Sequence, residues 1–265
     1  DSLRELRQPG GALGAYAHIL EEEITFAGYQ MEVAEENLAA DLNRSGGELW
    51  SRLQESVSSE LSTIWSEETG KRKSVTELRA LAFHPDRSVR ERAYEAELAL
   101  WERMETPLAH ALNGVKGFAS TINRRRGHQN DLERAVLQAR LSRPALDAMI
   151  GVMEESLPIF RSYLKEKAAL LGLNRIAYYD LFAPVGGETK EWSWPEAREF
   201  IVERFGRFSE DLANVAERAF SEEWIDGEPR QGKVGGAYCT SFPGFRESRI
   251  LANFDGSFSS VSTLA

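Results

Sequence analysis

From residue 10 to residue 83 the sequence contains no proline, and its apolar positions keep helical time. Leu13, Tyr16, Ala17, Leu20, Ile24, Ala27, Met31, Ala34, Leu38 and Leu42 recur at steps of three and four. That spacing lines them up on one stripe and leaves Glu21, Glu22, Glu23, Glu35 and Glu36 largely outside it. It predicts one long helix running through Gly28, because a single glycine costs only about 1 kcal/mol relative to alanine. Residues 43–47 are expected to stop it. A second helix then carries Leu49, Trp50, Leu53, Val57 and Leu61. Beyond it, Ser62-Thr63-Ile64-Trp65 and Lys73-Ser74-Val75-Thr76 flank Thr69-Gly70 and read as a small hairpin. Its tip is basic at Lys71, Arg72 and Lys73, which fits a solvated turn.

The pattern stays helical along most of the chain. A short helix is expected over 76–83, and Pro85 with Asp86 suits the start of another, since proline lacks an N–H that would be unpaired there and Asp complements the positive helix end. The stretch 88–126 ends in Arg124-Arg125-Arg126-Gly127, three cations at a negative helix end followed by a glycine free to take positive φ. Pro144 begins a helix with Met149, Val152, Met153, Leu157, Phe160, Leu164, Ala168 and Leu171 on one face; Pro158 is expected to bend it and Gly172 to stop it. Ser193-Trp194-Pro195 opens the next, with Ala197, Phe200, Ile201, Phe205, Phe208 and Leu212 inward and a break near Ser209. After Gly227 the character changes. Two β-type runs, over 236–241 and 249–254, are joined by Pro243-Gly244, and residues 259–265 read as a helix capped by Ser259 or Ser260. The fold class is therefore mainly α, with a small β element near residues 234–254.

Composition narrows the functional classes. Among 265 residues, 32 Lys+Arg against 42 Asp+Glu give a formal charge of −10. An acidic chain argues against nucleic acid as a partner. No apolar run approaches the ~18 residues of a membrane-spanning helix, so no membrane partner is expected either. The single cysteine, Cys239, excludes a disulfide framework within the chain and fits a reducing, cytoplasmic setting. The start at Asp1-Ser2-Leu3 and the end inside a helix-like stretch are expected of a portion of a longer protein.

The residues show no self-sufficient active site. A catalytic zinc helix commonly carries two histidines four apart with a carboxylate between. The four histidines are His18, His84, His110 and His128, and no two lie within five residues of each other. His18-Ile19-Leu20-Glu21-Glu22 begins like an inverted zinc motif but has glutamate where the second histidine belongs. Cys239 has nothing local to lower its pKa and is expected to be a small buried strand residue. Lys233-Val234-Gly235-Gly236-Ala237 has glycines without phosphate-loop spacing.

Taken in order, the later segments resemble the oligoendopeptidase F branch of the thimet-oligopeptidase-like zinc metallopeptidases. Tyr178-Tyr179-Asp180-Leu181-Phe182-Ala183-Pro184 resembles that family's aromatic-Asp-Leu-x-x-Pro segment, and Glu223-Trp224-Ile225-Asp226 its Trp-Ile-Asp turn. Lys233-Val234-Gly235-Gly236-Ala237-Tyr238-Cys239 is similar to its Gly-Ala-aromatic strand. The run from Asn253-Phe254-Asp255-Gly256-Ser257 to Leu264-Ala265 resembles the lead into its zinc helix. Arg126-Gly127-His128 departs mildly from an Arg-Gly-Tyr pattern.

The resemblance implies long antiparallel helices forming a lobe of a peptide channel, with residues 1–82 as an N-terminal helical lobe and 83–265 as the first part of the catalytic domain. It implies zinc in the parent enzyme, short peptides as substrates, and the missing C-terminal half of the catalytic domain as partner. The His-Glu-x-x-His motif would follow Ala265, so this chain is expected to bind no zinc and to be inactive alone. Its expected contribution is substrate binding by Gly235, Gly236, Ala237, Tyr238 and Cys239 as an edge strand, with small residues that let a peptide backbone approach. An inner strand whose glycines mark a bulge is the alternative. Asn253 either presents its amide to the cleft or makes a structural turn bond. A non-catalytic helical scaffold or peptide-binding module is the rival for the whole.

Overall fold

A computed structural model describes residues 13–186 and 190–265. In chain order the helices and strands are α1 (Ala17–Ala27), α2 (Val33–Asn43), α3 (Leu49–Glu60), β1 (Ser62–Ser66), β2 (Lys71–Ser74), α4 (Val75–Ala80), α5 (Arg87–Glu102), α6 (Glu105–Arg125), α7 (Asp131–Gln138), α8 (Arg143–Leu170), α9 (Trp194–Gly206), α10 (Glu210–Ser221), β3 (Ile225–Asp226), β4 (Tyr238–Phe242), β5 (Glu247–Leu251) and α11 (Phe258–Leu264). The fold is mainly α, with few short strands. Its described residues form two compact units, one from residues 13–53 with 109–156 and the other from 54–108 with 157–186 and 190–265. The division at residue 82 read from the sequence is a division along the chain and differs from this one, because each unit gathers two separate stretches.

In the first unit the expected single helix over residues 13–42 is two. It breaks after Gly28, and α2 starts at Val33. The stripe of apolar residues continues across the break, so periodicity alone does not reveal it. The expected stop at residues 43–47 is not one. There the backbone passes through a π-type turn, Arg44–Glu48, straight into α3. The two glycines serve close packing instead: a Cβ on Gly46 would lie 2.9 Å from the Phe118 ring, and one on Gly47 would lie 3.2 Å from it. Helix α6 approaches α3 at Gly114, where a Cβ would stand 2.5 Å from the Trp50 ring. Arg124 and Arg125 lie in the last turn of α6, as expected of cations at a helix C-terminus, and Arg126 follows directly. It pairs with Glu36 through two hydrogen bonds, Nε to Oε1 at 3.0 Å and a terminal nitrogen to Oε2 at 2.6 Å. Gly127 takes the expected positive φ of 87°.

In the second unit the hairpin forms as read, β1 antiparallel to β2. Ser74 then caps α4 in a reciprocal box, its hydroxyl accepting from Glu77 N–H while its own N–H donates to the Glu77 carboxylate at 2.8 Å. Leu78, Val75, Ala93 and Leu100 form one core with Trp65 and Trp101 against it. A second core joins Ala197 and Ile201 of α9 to Ala216 of α10 and Val261 of α11. Asp86 caps α5, which leaves Pro85 just outside the helix rather than at its first position, and the cap of α11 is Ser257, not Ser259 or Ser260. In each case the side-chain oxygen accepts a backbone N–H two or three residues on. Phe208, read as inward, lies beyond the last turn of α9 and is exposed. Helix α8 continues through Pro158. Strands β4 and β5 pair antiparallel, and β3 adds in parallel on the other side of β5, giving the order β3-β5-β4.

Candidate functional site

The second unit contains a cleft of about 1380 Å³. One wall comes from the α4 region and the chain that follows it, with Thr76, Leu81, Phe83 and His84 lining. Facing segments supply Phe182 and Pro184, then Glu191 and Trp192, and finally Asn253 and the first turns of α11 through Phe258 and Ser262.

Buried ion pairs hold these segments in place. Arg90, 3% exposed, donates to the carbonyls of His84 at 2.7 Å and Pro85 at 2.9 Å on one wall. It also donates to the Tyr179 carbonyl at 3.2 Å and to Asp180 Oδ1 at 3.0 Å on the other. Arg87 adds Nε to Asp180 at 3.1 Å and a terminal nitrogen to the Tyr179 hydroxyl at 2.9 Å. Asp180 is fully buried and also accepts the Ala177 N–H at 3.0 Å. Burial alone would raise its pKa. The hydrogen bonds from Arg90, the Ala177 amide and Arg87 outweigh that and hold the carboxyl below the usual carboxylate range. The buried Lys167 ammonium donates to the Leu181 carbonyl at 2.6 Å, fixing the start of the turn that presents Phe182. The rings of Phe182 and Phe83 then meet across the cleft with centroids 5.2 Å apart.

The third set of contacts centres on Lys233, 6% exposed. Its ammonium donates to the carbonyls of Asp226, Glu228 and Ala252 at 2.9, 2.9 and 2.7 Å and to Asp226 Oδ1 at 3.0 Å. Arg230 and Lys233 together hold the Asp226 carboxyl well below its ordinary range. This cage ties the end of β3 to the end of β5, where Asn253 follows.

Of the residues singled out in the sequence, Asn253 lines the cleft. Its amide also donates to the carbonyls of Val234 at 3.1 Å and Gly236 at 2.8 Å, the structural turn bond. Gly235, Gly236 and Ala237 form the loop before β4 rather than strand residues. Gly236 needs its φ of 86°, and a Cβ on Gly235 would come 3.2 Å from Thr76 Oγ1, so this loop runs against the cleft wall. Tyr238 and Cys239 begin β4, the edge strand of its sheet, and neither lines the cleft. Cys239 is exposed, not buried, because every residue of β4 is exposed. In the sequence, residues 76–85 and 190–192 are not singled out for the cleft, and Phe182 and Pro184 appear only within the run quoted for the resemblance, with no role in the cleft. They meet through Arg90 and Asp180, 90 positions apart.

The chain supplies no metal-binding set among its described residues. Only His84 of the four histidines lines the cleft, and no group of three or more His, Cys, Asp or Glu side chains gathers to hold an ion. No chemical step is therefore assigned to a metal on these residues. No helix among the described residues is long and apolar enough to cross a membrane.

A mainly helical fold of this kind has relatives among the oligopeptidases. The family model described as Peptidase family M3 matches residues 80–265, and that described as Oligopeptidase F matches residues 1–62. The chain belongs to peptidase family M3, a family of metallopeptidases. It is 28% identical over 155 residues to Group B oligopeptidase PepB of Streptococcus agalactiae serotype III (strain NEM316), covering 58% of this chain and 26% of that protein. To Oligopeptidase PepF of Bacillus subtilis (strain 168) it is 20% identical over 268 aligned residues, covering 100% of this chain and 40% of that one. PZ peptidase A superimposes with a TM-score of 0.81 at 18% identity, over 99% of this chain and 47% of its own. An oligoendopeptidase-F from Enterococcus faecium gives 0.55 at 15% identity, over 85% and 48%. These likenesses to solved structures concern the fold. The chain spans well under half the length of the curated relatives it matches.

Proposed function

We propose that this chain forms one wall of the peptide channel of a zinc-dependent, cytoplasmic oligoendopeptidase acting on short peptides, and that it does not cleave peptides alone. The observation that carries this reading is the cleft of about 1380 Å³, larger than the ~300–1,000 Å³ of ordinary small-molecule pockets. Nearly all of it is built from the stretch matched by the family M3 model. The cleft mixes aromatic walls at Phe83, Phe182 and Trp192 with charges of both signs, from Lys73 and Lys190 to Glu191 and Asp255, so it can meet both apolar and polar side chains of a peptide. The loop over residues 234–236 touches the cleft through Asn253 and Thr76 and leads into an exposed edge strand, where backbone hydrogen bonds give affinity without demanding sequence. Zinc and the general base would come from residues outside this sequence, since it contains no His-Glu-x-x-His. Absence of that motif equally favours the second reading, a peptide-binding module without catalysis.

The test uses the purified chain with a fluorescein-labelled short peptide of mixed sequence, a quenched fluorescent peptide, and added zinc. Saturable anisotropy without cleavage is expected, with binding weakened about tenfold, ~1.4 kcal/mol, by Gly236→Val. A β-branched residue at that positive φ distorts the loop before the strand. No saturable binding would overturn the channel-wall reading. Chelator-sensitive cleavage by this chain would overturn its inactivity.

A further inference from the structure

The first unit holds a smaller cavity of about 280 Å³, near the lower limit of ligand pockets (~300 Å³). Its apolar side is aromatic: Phe26, Tyr29 and the buried ring of His128, which stacks on Tyr29 at 4.1 Å between centroids. The polar side is Glu36, Arg126 and Arg134. Glu36 and Arg126 neutralise each other through their paired hydrogen bonds. Arg134 is different. It donates one N–H to Asn123 Oδ1 at 2.7 Å, and no carboxylate forms an ion pair with it among the described residues.

Asn123 is itself buried, its side-chain amide donating to Asp131 at 2.6 Å while its backbone carbonyl accepts the His128 backbone N–H at 3.0 Å. The guanidinium is thus anchored at one nitrogen, feels the Asp131 carboxylate only at longer range, and keeps donors to spare, in a chain whose net charge is −10. His128 Nδ1 is buried, lacks a hydrogen-bond partner among the described residues, and stands 3.6 Å from Glu133. Unsatisfied buried groups of this kind are uncommon and concentrate where a structure does more than pack.

We infer that this cavity binds a small aromatic monocarboxylate, its ring against Phe26 and Tyr29 and its carboxylate on Arg134. A dianion such as phosphate is disfavoured, because Glu36 shares the wall. The site is separate from the peptide cleft and does not depend on the reading given to that cleft. The shared chemistry, an aromatic group beside a carboxylate, occurs in free aromatic acids and at the C-terminal residue of peptides.

The test is a proton NMR titration of the purified chain, reading the four histidine ring signals. Phenylacetate should shift the His128 signal saturably, and the neutral isostere phenylacetamide should bind at least tenfold more weakly. Arg134→Gln should abolish the phenylacetate response. Gln138→Glu, an exposed position on the cavity lining, should weaken phenylacetate at least fivefold and leave phenylacetamide unchanged. That variant carries the test if Arg134→Gln misfolds. N-acetylphenylalanine binding as well as phenylacetate would assign peptide-like acids to the site, and phenylacetate alone would assign free acids. Equal binding of acid and amide, an unshifted His128, or an indifferent Gln138→Glu would each overturn the inference.

Discussion

Asp180→Asn is expected to destabilise the fold by about 3–5 kcal/mol, the range for removing one member of a buried ion pair. The carboxylate is fully buried between Arg87 and Arg90, and Arg90 is itself 3% exposed. Neutralising it leaves the Arg90 charge in the interior uncompensated, and the asparagine amide presents donors to donors. Urea unfolding at pH 7, followed by far-UV circular dichroism, measures the loss. The pH dependence is a second signature. The folded carboxyl titrates below its unfolded value of about 3.9, so its contribution is complete above about pH 5 and is lost as pH falls through the unfolded value to below the folded pKa. The gap between the native chain and Asp180→Asn should therefore be constant from pH 7 to about 5 and should narrow as the pH drops below 4. A gap under 1 kcal/mol at pH 7, or one that widens in acid, would show that the pair does not hold the two cleft walls together.

Lys233→Met is the second large effect. One ammonium serves four acceptors on two separate segments, residues 226–228 and Ala252, and the Ala252 carbonyl belongs to a buried residue. Methionine fills the volume and donates nothing, leaving the Ala252 oxygen unsatisfied and the ends of β3 and β5 untied. The expected cost is about 3 kcal/mol, since hydrogen bonds to charged groups contribute about 1.5–3 kcal/mol each and part of the cage can relax. Peptide affinity should fall with stability, because Asn253 and Glu228, both on the cleft, hang from this cage. Lys233→Arg should not restore either property, as a planar fork cannot reproduce the compact arrangement of an ammonium among carbonyls. Restoration by arginine would mean that charge alone matters there.

These two residues also show what the sequence could and could not disclose. Helix content, the hairpin at Gly70, the helix start at Ser193-Trp194-Pro195 and the β4–β5 pairing were legible, because each is written in local spacing or turn chemistry. The breaks were harder. Apolar period continues across residues 28–32 although the backbone turns there, and the glycines at 46 and 47 mimic a helix stop while serving contact with Phe118. Cys239 was misread because strand propensity does not say whether a strand lies inside a sheet or at its edge. For the cleft, Asn253 was visible through the run it belongs to. Arg90 was not, and Lys233 was quoted only as the start of a run, since a cation in a helix or loop reads as solvated until the fold surrounds it with carbonyls.

The claim that this chain is the wall of a peptide channel is tested most directly by hydrogen exchange with mass spectrometry, on the purified chain with and without a saturating short peptide. The account predicts new protection in two places: the amides of Tyr238–Phe242, as the peptide pairs with the edge strand, and residues 253–259 at the head of α11. Protection confined to the first unit, or none in either stretch at saturation, would contradict it.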